Sequence, residues 1–221
     1  MTAERGRPRS FDTETALEQA TQVFWRLGYQ GASMSELTAA TGLSKPSLYA
    51  AFGDKEALYL ECMRRYMARN VALQTQLLDD EPDARRAVEG FMRAMAALQA
   101  DPALPGGCFI VNGTADCGGA TIPQAVDTAL RAASGGTEQR LLERLKRAQR
   151  EAQLPPGLKP GPLATLLASV LTGMAVMAKG GQPRSKLEEV VDAAMAVWPA
   201  GNSRSRPTTS RASVPKRAAR G

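Results

Sequence analysis

Ser44, Lys45, Ser47 and Tyr49 set three hydroxyls and one cation side by side in the run L-S-K-P-S-L-Y-A-A-F. Such side chains hydrogen-bond to anionic oxygens rather than drive acid–base chemistry. At a helix start, where the first backbone N–H groups are free, they suit phosphate oxygens and base edges. Ser44 is the expected N-cap, and Pro46 fits the first turn because its missing N–H would have had no partner. Leu48 and Phe52, four apart, point inward. Lys55 stands in the first turn of a further helix opened by Asp54. A cation there runs against the helix dipole, so a nearby phosphate explains it better than folding does. The same residues also fit a plain three-helix surface with ordinary caps.

The elements that must position these groups are equally legible. Ser33 and Glu36 form an S-x-x-E capping box that starts a short helix near Met34. Gly42 stops it, because glycine enters the left-handed cap conformation without steric cost. Helix, three-residue turn, helix is the geometry that lays a second helix in a DNA major groove. Upstream, Asp12 is the expected cap of a first helix whose apolar face is Ala16, Leu17, Ala20, Val23, Phe24 and Leu27. Gly28 ends it, and Trp25 and Tyr29 are read as partial core.

Ala20, Phe24, Gly28, Tyr29, Gly31, Ser33-Met34, Gly42, Leu43-Ser44, Ser47-Leu48-Tyr49, Phe52, Lys55, Glu56 and Leu58 make this block resemble the TetR/AcrR family of bacterial transcriptional regulators. The resemblance implies an all-α protein: an N-terminal three-helix helix-turn-helix domain over residues 12–60, then a helical effector-binding and dimerisation domain over residues 61–199. It further implies a homodimeric repressor on a pseudo-palindromic operator in double-stranded DNA, released by a small-molecule effector. The DNA contacts it assigns are Ser33, Ser44, Lys45, Pro46, Ser47, Tyr49 and Lys55. Pro46 replaces a more usual glycine, which bears on base preference rather than on DNA binding itself.

Composition fits this reading. The chain has 221 residues and no histidine, which removes Ser-His-Asp and Cys-His catalysis and imidazole metal ligation. Glu138, Glu143 and Glu151 interleave with Arg140, Arg144 and Arg147 as a solvated helix face rather than a carboxylate pair for catalysis. No cofactor or metal is expected, and a helical enzyme or ligand carrier is the weakest alternative. Three cysteines, with no secretory leader read at the start, suggest a reduced cytoplasm. The net charge of +6 equals the six cations of residues 200–221 (Arg204, Arg206, Arg211, Lys216, Arg217 and Arg220). That acid-free Ser/Pro/Arg tail cannot build a core and is expected to be disordered. Residues 1–11 form a flexible basic arm whose Arg5-Gly6-Arg7-Pro8-Arg9 resembles the minor-groove core of AT-hook peptides. Arg5, Arg7 and Arg9 are therefore candidate DNA contacts.

Beyond residue 60 the pattern predicts a helix from Lys55 to Asp79 and a second from Asp83 to Ala100. A short buried helix at Cys108–Asn112 follows. Thr121 should cap a segment reaching Gln153, which Gly135-Gly136 kinks or splits. The last helices span residues 163–179 and 185–198. The first is apolar nearly all round, so it should be buried on more than one side. At seventeen residues it is short for a membrane span. Leu163, Leu167, Val170, Leu171, Leu187, Val191 and Met195 are the expected dimer interface. Met67, Phe91, Met95, Phe109, Asn112 and Met174 are the expected ligand pocket, with Asp116 as a further polar group, although Met and Phe at this spacing are more often plain core. Cys108 or Cys117 could instead act as a thiol switch for oxidants or electrophiles.

Overall fold

Asp12 caps the first helix as expected: its Oδ1 accepts from the Glu14 N–H at 3.0 Å. The computed structural model describes residues 12–198, so the candidate contacts Arg5, Arg7 and Arg9 and the basic tail lie outside the described residues. Helix α1 spans Thr13–Gly31, with Gly28 out of helical geometry inside it. Helical geometry stops at Gly28, as expected, and one further turn follows it.

Helix α2 (Met34–Thr41) opens on the full Ser33/Glu36 capping box and closes on Gly42 at φ 66°. Helix α3 (Lys45–Phe52) opens on Ser44. Helix α4 (Lys55–Asp79) is 25 residues long, about 37 Å at the helical rise. Then come α5 (Ala84–Gln99), α6 (Phe109–Thr114), α7 (Gln124–Ser134), α8 (Gly136–Arg150), α9 (Pro160–Lys179) and α10 (Arg184–Met195). Every regular element among the described residues is a helix. Gly135 splits the segment after Pro123 in two, and Thr121 does not cap it: α7 begins behind Pro123 with no side-chain cap bond.

Two apolar clusters organise the chain. One gathers α1, α2, α3 and the first half of α4, and it also draws in Phe109, Ile110, Val126 and Leu130 from α6 and α7. Tyr59 sits at its centre, with its ring centroid 4.9 Å from that of Phe24 and 5.3 Å from those of Tyr29 and Phe109. The second cluster packs the rest of α4 with α5, α8, α9 and α10.

The predicted dimer face must be corrected. Leu163, Leu167, Leu171, Leu187, Val191 and Met195 are all buried in the chain's own core. They have no free surface for another subunit, and Val170 is half-buried at that core's edge. Periodicity identified a helix apolar nearly all round but could not say which side its own chain covers. The outward side of α9 carries Leu166 and Val176, 43 % and 60 % exposed. With 20 residues rather than seventeen, α9 is long and apolar enough to cross a bilayer by length and composition alone. One flank of it nevertheless packs on α5, α8 and α10.

A second correction concerns Arg144. It is not part of a solvated face but 2 % exposed. Its Nε donates to the Leu78 carbonyl at 2.7 Å, and its Nη2 to those of Glu81 and Pro82 at 3.1 and 3.3 Å. The end of a helix leaves carbonyls without partners, and a guanidinium satisfies several at once. Arg147 does pair with Glu151 on the surface, at 2.9 Å.

Candidate nucleic-acid interface and ligand cavity

The hydroxyl-rich start of α3 forms a small exposed platform. Ser44 Oγ accepts from the Ser47 N–H at 3.3 Å and lies 2.9 Å from Ser47 Oγ. Lys45 Nζ stands 5.5 Å from the centroid of the Tyr49 ring, and Tyr49 is 41 % exposed. Ser44, Lys45 and Pro46 are exposed and Ser47 half-buried, while Leu48 beneath them is fully buried. The structure thus brings the four predicted donors to one helix start. Ser33, at the start of α2, is exposed, with its hydroxyl held between Ser35 and Glu36.

Lys55, the other expected phosphate contact, stands against an aromatic ring of its own chain. Its Nζ lies 4.5 Å from the Tyr29 ring centroid. Burial holds its pKa below the usual lysine value, opposed by the carboxylates of Asp116 and Glu36. The protein therefore supplies this cation with partners of its own.

Further along α4 opens a cavity of about 400 Å³. Tyr66, Met67, Asn70, Val71 and Gln74 of α4 form one wall; Met95, Leu98 and Gln99 of α5, and Ala168, Leu171 and Thr172 of α9, form others. Residues of α6, α7 and α8 complete it, including Cys108 at the start of α6 and Arg140. Of the six predicted ligand residues, Met67 and Met95 line this space. Phe91 and Met174 are core instead. Phe109 packs in the other cluster, its ring stacked at 5.3 Å on Tyr66. Asn112 points away, its Nδ2 donating to the carbonyls of Trp25 and Gly106, each at 3.2 Å. These four lie off the wall because shape, not residue type, decides which apolar groups close-pack. Sequence reading missed Tyr66, Asn70 and Gln74. Their four-residue spacing is the signal: a polar stripe on the inward side of a packed helix has few other uses. Gln99 donates to the Leu171 carbonyl at 3.3 Å, and its buried Oε1 has no partner.

The break in α1 is held from elsewhere in the chain. Gly28 takes φ 72° and ψ −179°, a backbone region open essentially to glycine alone. Beyond it the N–H groups of Tyr29 and Gln30 donate to Asp116 Oδ2, at 2.9 and 3.4 Å. In an unbroken helix they would reach the carbonyls of Trp25 and Arg26. Those carbonyls accept from Asn112 Nδ2 at 3.2 Å and from Lys179 Nζ at 2.8 Å.

The cysteines differ sharply. Burial pushes the Cys62 thiol up to about 12 and raises that of Cys117 as well. Cys108 faces the cavity, and its Sγ accepts from Tyr66 Oη at 3.3 Å.

Two family models match most of the chain. The family model for bacterial regulatory proteins, tetR family, matches residues 16–62. The model for the tetracyclin repressor-like C-terminal domain matches residues 84–194. The HTH-type transcriptional repressor ComR of Escherichia coli (strain K12) is 31% identical over 198 residues, 88% of this chain and 92% of ComR. A solved cysteine mutant of the TetR family transcriptional regulator CifR, complexed with 26bp double-strand operator DNA, is 39% identical. The match covers 88% of this chain and 100% of that one, with a TM-score of 0.81. AibR, solved with isovaleryl coenzyme A and operator DNA, shares the fold at 19% identity and a TM-score of 0.63, over 83% of this chain and 96% of that one.

Proposed function

The chain belongs to the TetR family of bacterial regulatory proteins, and on that premise we propose that it is a cytoplasmic repressor released from its operator by a small molecule. The observation that carries the reading is the placement of two sites on α4. The platform of Ser44, Lys45, Ser47 and Tyr49 abuts its start, and the cavity opens along its second half. Anything that tilts α4 to admit a ligand also moves the platform. A hundredfold loss of operator affinity needs only about 2.7 kcal/mol of such coupling. ComR, named a repressor, and CifR, solved on operator DNA, support the DNA side. AibR supports the idea that this fold holds a small molecule and DNA together. The effector is expected to be mostly apolar with one hydrogen-bond donor for the orphaned Gln99 Oε1.

Selection of bound duplexes from a random library tests the reading. Enrichment of one inverted repeat, with half-sites about one helical turn apart or a multiple of it, is the expected result. Binding that depends only on salt, with no enriched motif, would overturn it.

Dimerisation belongs to the same proposal, through the outward side of α9. Leu166 and Val176 are large apolar groups left in water by the single chain. A Val176→Arg variant should elute as a folded monomer on size exclusion, and a half-operator contact should weaken its DNA binding at least about tenfold. Unchanged elution would place the interface elsewhere.

One observation favours a second reading, a thiol sensor. Among the cysteines, Cys108 alone lines the cavity, with the Tyr66 hydroxyl against its sulfur. Addition of the Cys108 sulfur across the activated double bond of an electrophile, with the thiol proton ending on the neighbouring carbon, would form a bulky adduct at the start of α6. With N-ethylmaleimide as the probe, release of operator that survives Cys108→Ser would remove this reading. Release lost in Cys108→Ser and kept in Cys117→Ser would support it.

A further inference from the structure

The DNA-binding end, α1–α3, is attached to two sets of elements that both contribute wall to the cavity. On one side α4 holds α1 through the ion pairs Arg65–Glu14 and Arg69–Glu18. On the other side the broken end of α1 is held by three side chains from elsewhere. Asn112 belongs to α6, Asp116 to the turn just after it, and Lys179 is the last residue of α9. Both α6 and α9 contribute cavity wall, through Ile110, Val111, Leu171 and Thr172 among others. The joint is tightly built. A Cβ on Gly28 would stand 2.7 Å from Asp116 Oδ2, and one on Gly107, beside Cys108, would stand 2.6 Å from the Ala175 carbonyl oxygen. At both points the backbone approaches its neighbour more closely than any side chain would allow.

We propose that Asn112, Asp116 and Lys179 are positioning residues that make the orientation of the DNA-binding end depend on the separation of the cavity walls. The proposal rests on the repressor reading above and adds the route by which occupancy is felt. A group in the cavity that shifts α4 relative to α6 and α9 displaces one attachment of α1 against the other, and α1–α3 must turn. Hydrogen bonding suits this role, because a shift of about 1 Å takes a 2.8–2.9 Å bond beyond useful range. The bonds from Tyr29 to Asp116 and from Asn112 to Trp25 are part-buried, so breaking them leaves a helix-end donor or acceptor short of a partner and favours discrete arrangements.

Linkage allows a test with no effector in hand: if the cavity influences operator affinity, operator must influence the cavity walls. The probe is the duplex enriched by selection, added to the full-length protein, with amide exchange as the readout. In the wild type, operator should change the exchange of residues 109–114 and 171–179, far from α3. In Lys179→Met and Asp116→Ala that remote change should fall at least about twofold, while Lys179→Arg, which restores a donor, keeps it. Operator affinity itself should shift by about tenfold or less in these variants, so complexes still form. No remote change in the wild type would overturn the proposal, as would a full wild-type change in Lys179→Met or equal loss in Lys179→Arg. Failure of the repressor reading would show earlier and differently, as the absence of any enriched duplex.

Discussion

Replacing Lys45, Ser47 and Tyr49 together by alanine should cut operator affinity at least about hundredfold while leaving the fold intact. The size follows from what each group offers. A side chain reading a base edge is worth about 1–3 kcal/mol of discrimination. A hydroxyl hydrogen bond contributes about 1 kcal/mol, and more when the acceptor is a charged phosphate. Stability should move little. Ser44, which caps α3, is untouched, Leu48 still anchors the helix, and Tyr49 is substantially exposed. The single change Lys45→Ala separates the two modes of contact. If Lys45 touches phosphate, binding weakens evenly across sequences and the salt slope falls by about one; if it reads a base, preference relaxes at one position. Titration of labelled operator at several salt concentrations measures both. Triple-variant affinity within about threefold of wild type would mean that α3 does not face the DNA.

Gly28→Ala should be the most damaging substitution at the junction, lowering stability by about 2–5 kcal/mol. Two costs add. Alanine at φ 72° and ψ −179° is strained, by about 1–3 kcal/mol. Its Cβ would also stand 2.7 Å from Asp116 Oδ2, so the carboxylate must retreat from the two N–H groups it accepts. Leaving those donors short adds about 1–3 kcal/mol. For a chain of this size the sum corresponds to a fall in Tm of about 5–15 °C. The double variant Gly28→Ala/Asp116→Ala keeps the strain and removes the collision. It should therefore lose less than the two single changes added together, and calorimetry of all four proteins gives the coupling directly. Simple additivity would mean that Gly28 and Asp116 act independently.

Caps and stops were the most legible part of the chain. Asp12, Ser33 with Glu36, Ser44, Asp54 and Asp83 each cap the helix expected of them, and Gly42 ends α2 in the left-handed conformation. These are contacts within a few residues, so the local sequence contains both partners. Long amphipathic stretches were legible for the same reason, and the block from Ala20 to Leu58 carried the family. Where that reasoning slipped locally, as at Thr121, α7 simply began without a side-chain cap.

What the sequence determined by itself was therefore the helices, their order, the family and the exposed donors that open α3. Tertiary structure decided which side of each helix faces what. It placed Leu163, Leu167 and Leu171 in the chain's own core and left Leu166 and Val176 outside. It buried Arg144 against the end of α4, gave Lys55 an aromatic ring, and lined the cavity with Tyr66, Asn70 and Gln74. It also joined Gly28 to Asp116, 88 positions away in the sequence. The physical reason is range: a cap is satisfied within one turn, whereas a covered face, a cavity wall or a helix end held by another helix exists only once distant segments have packed.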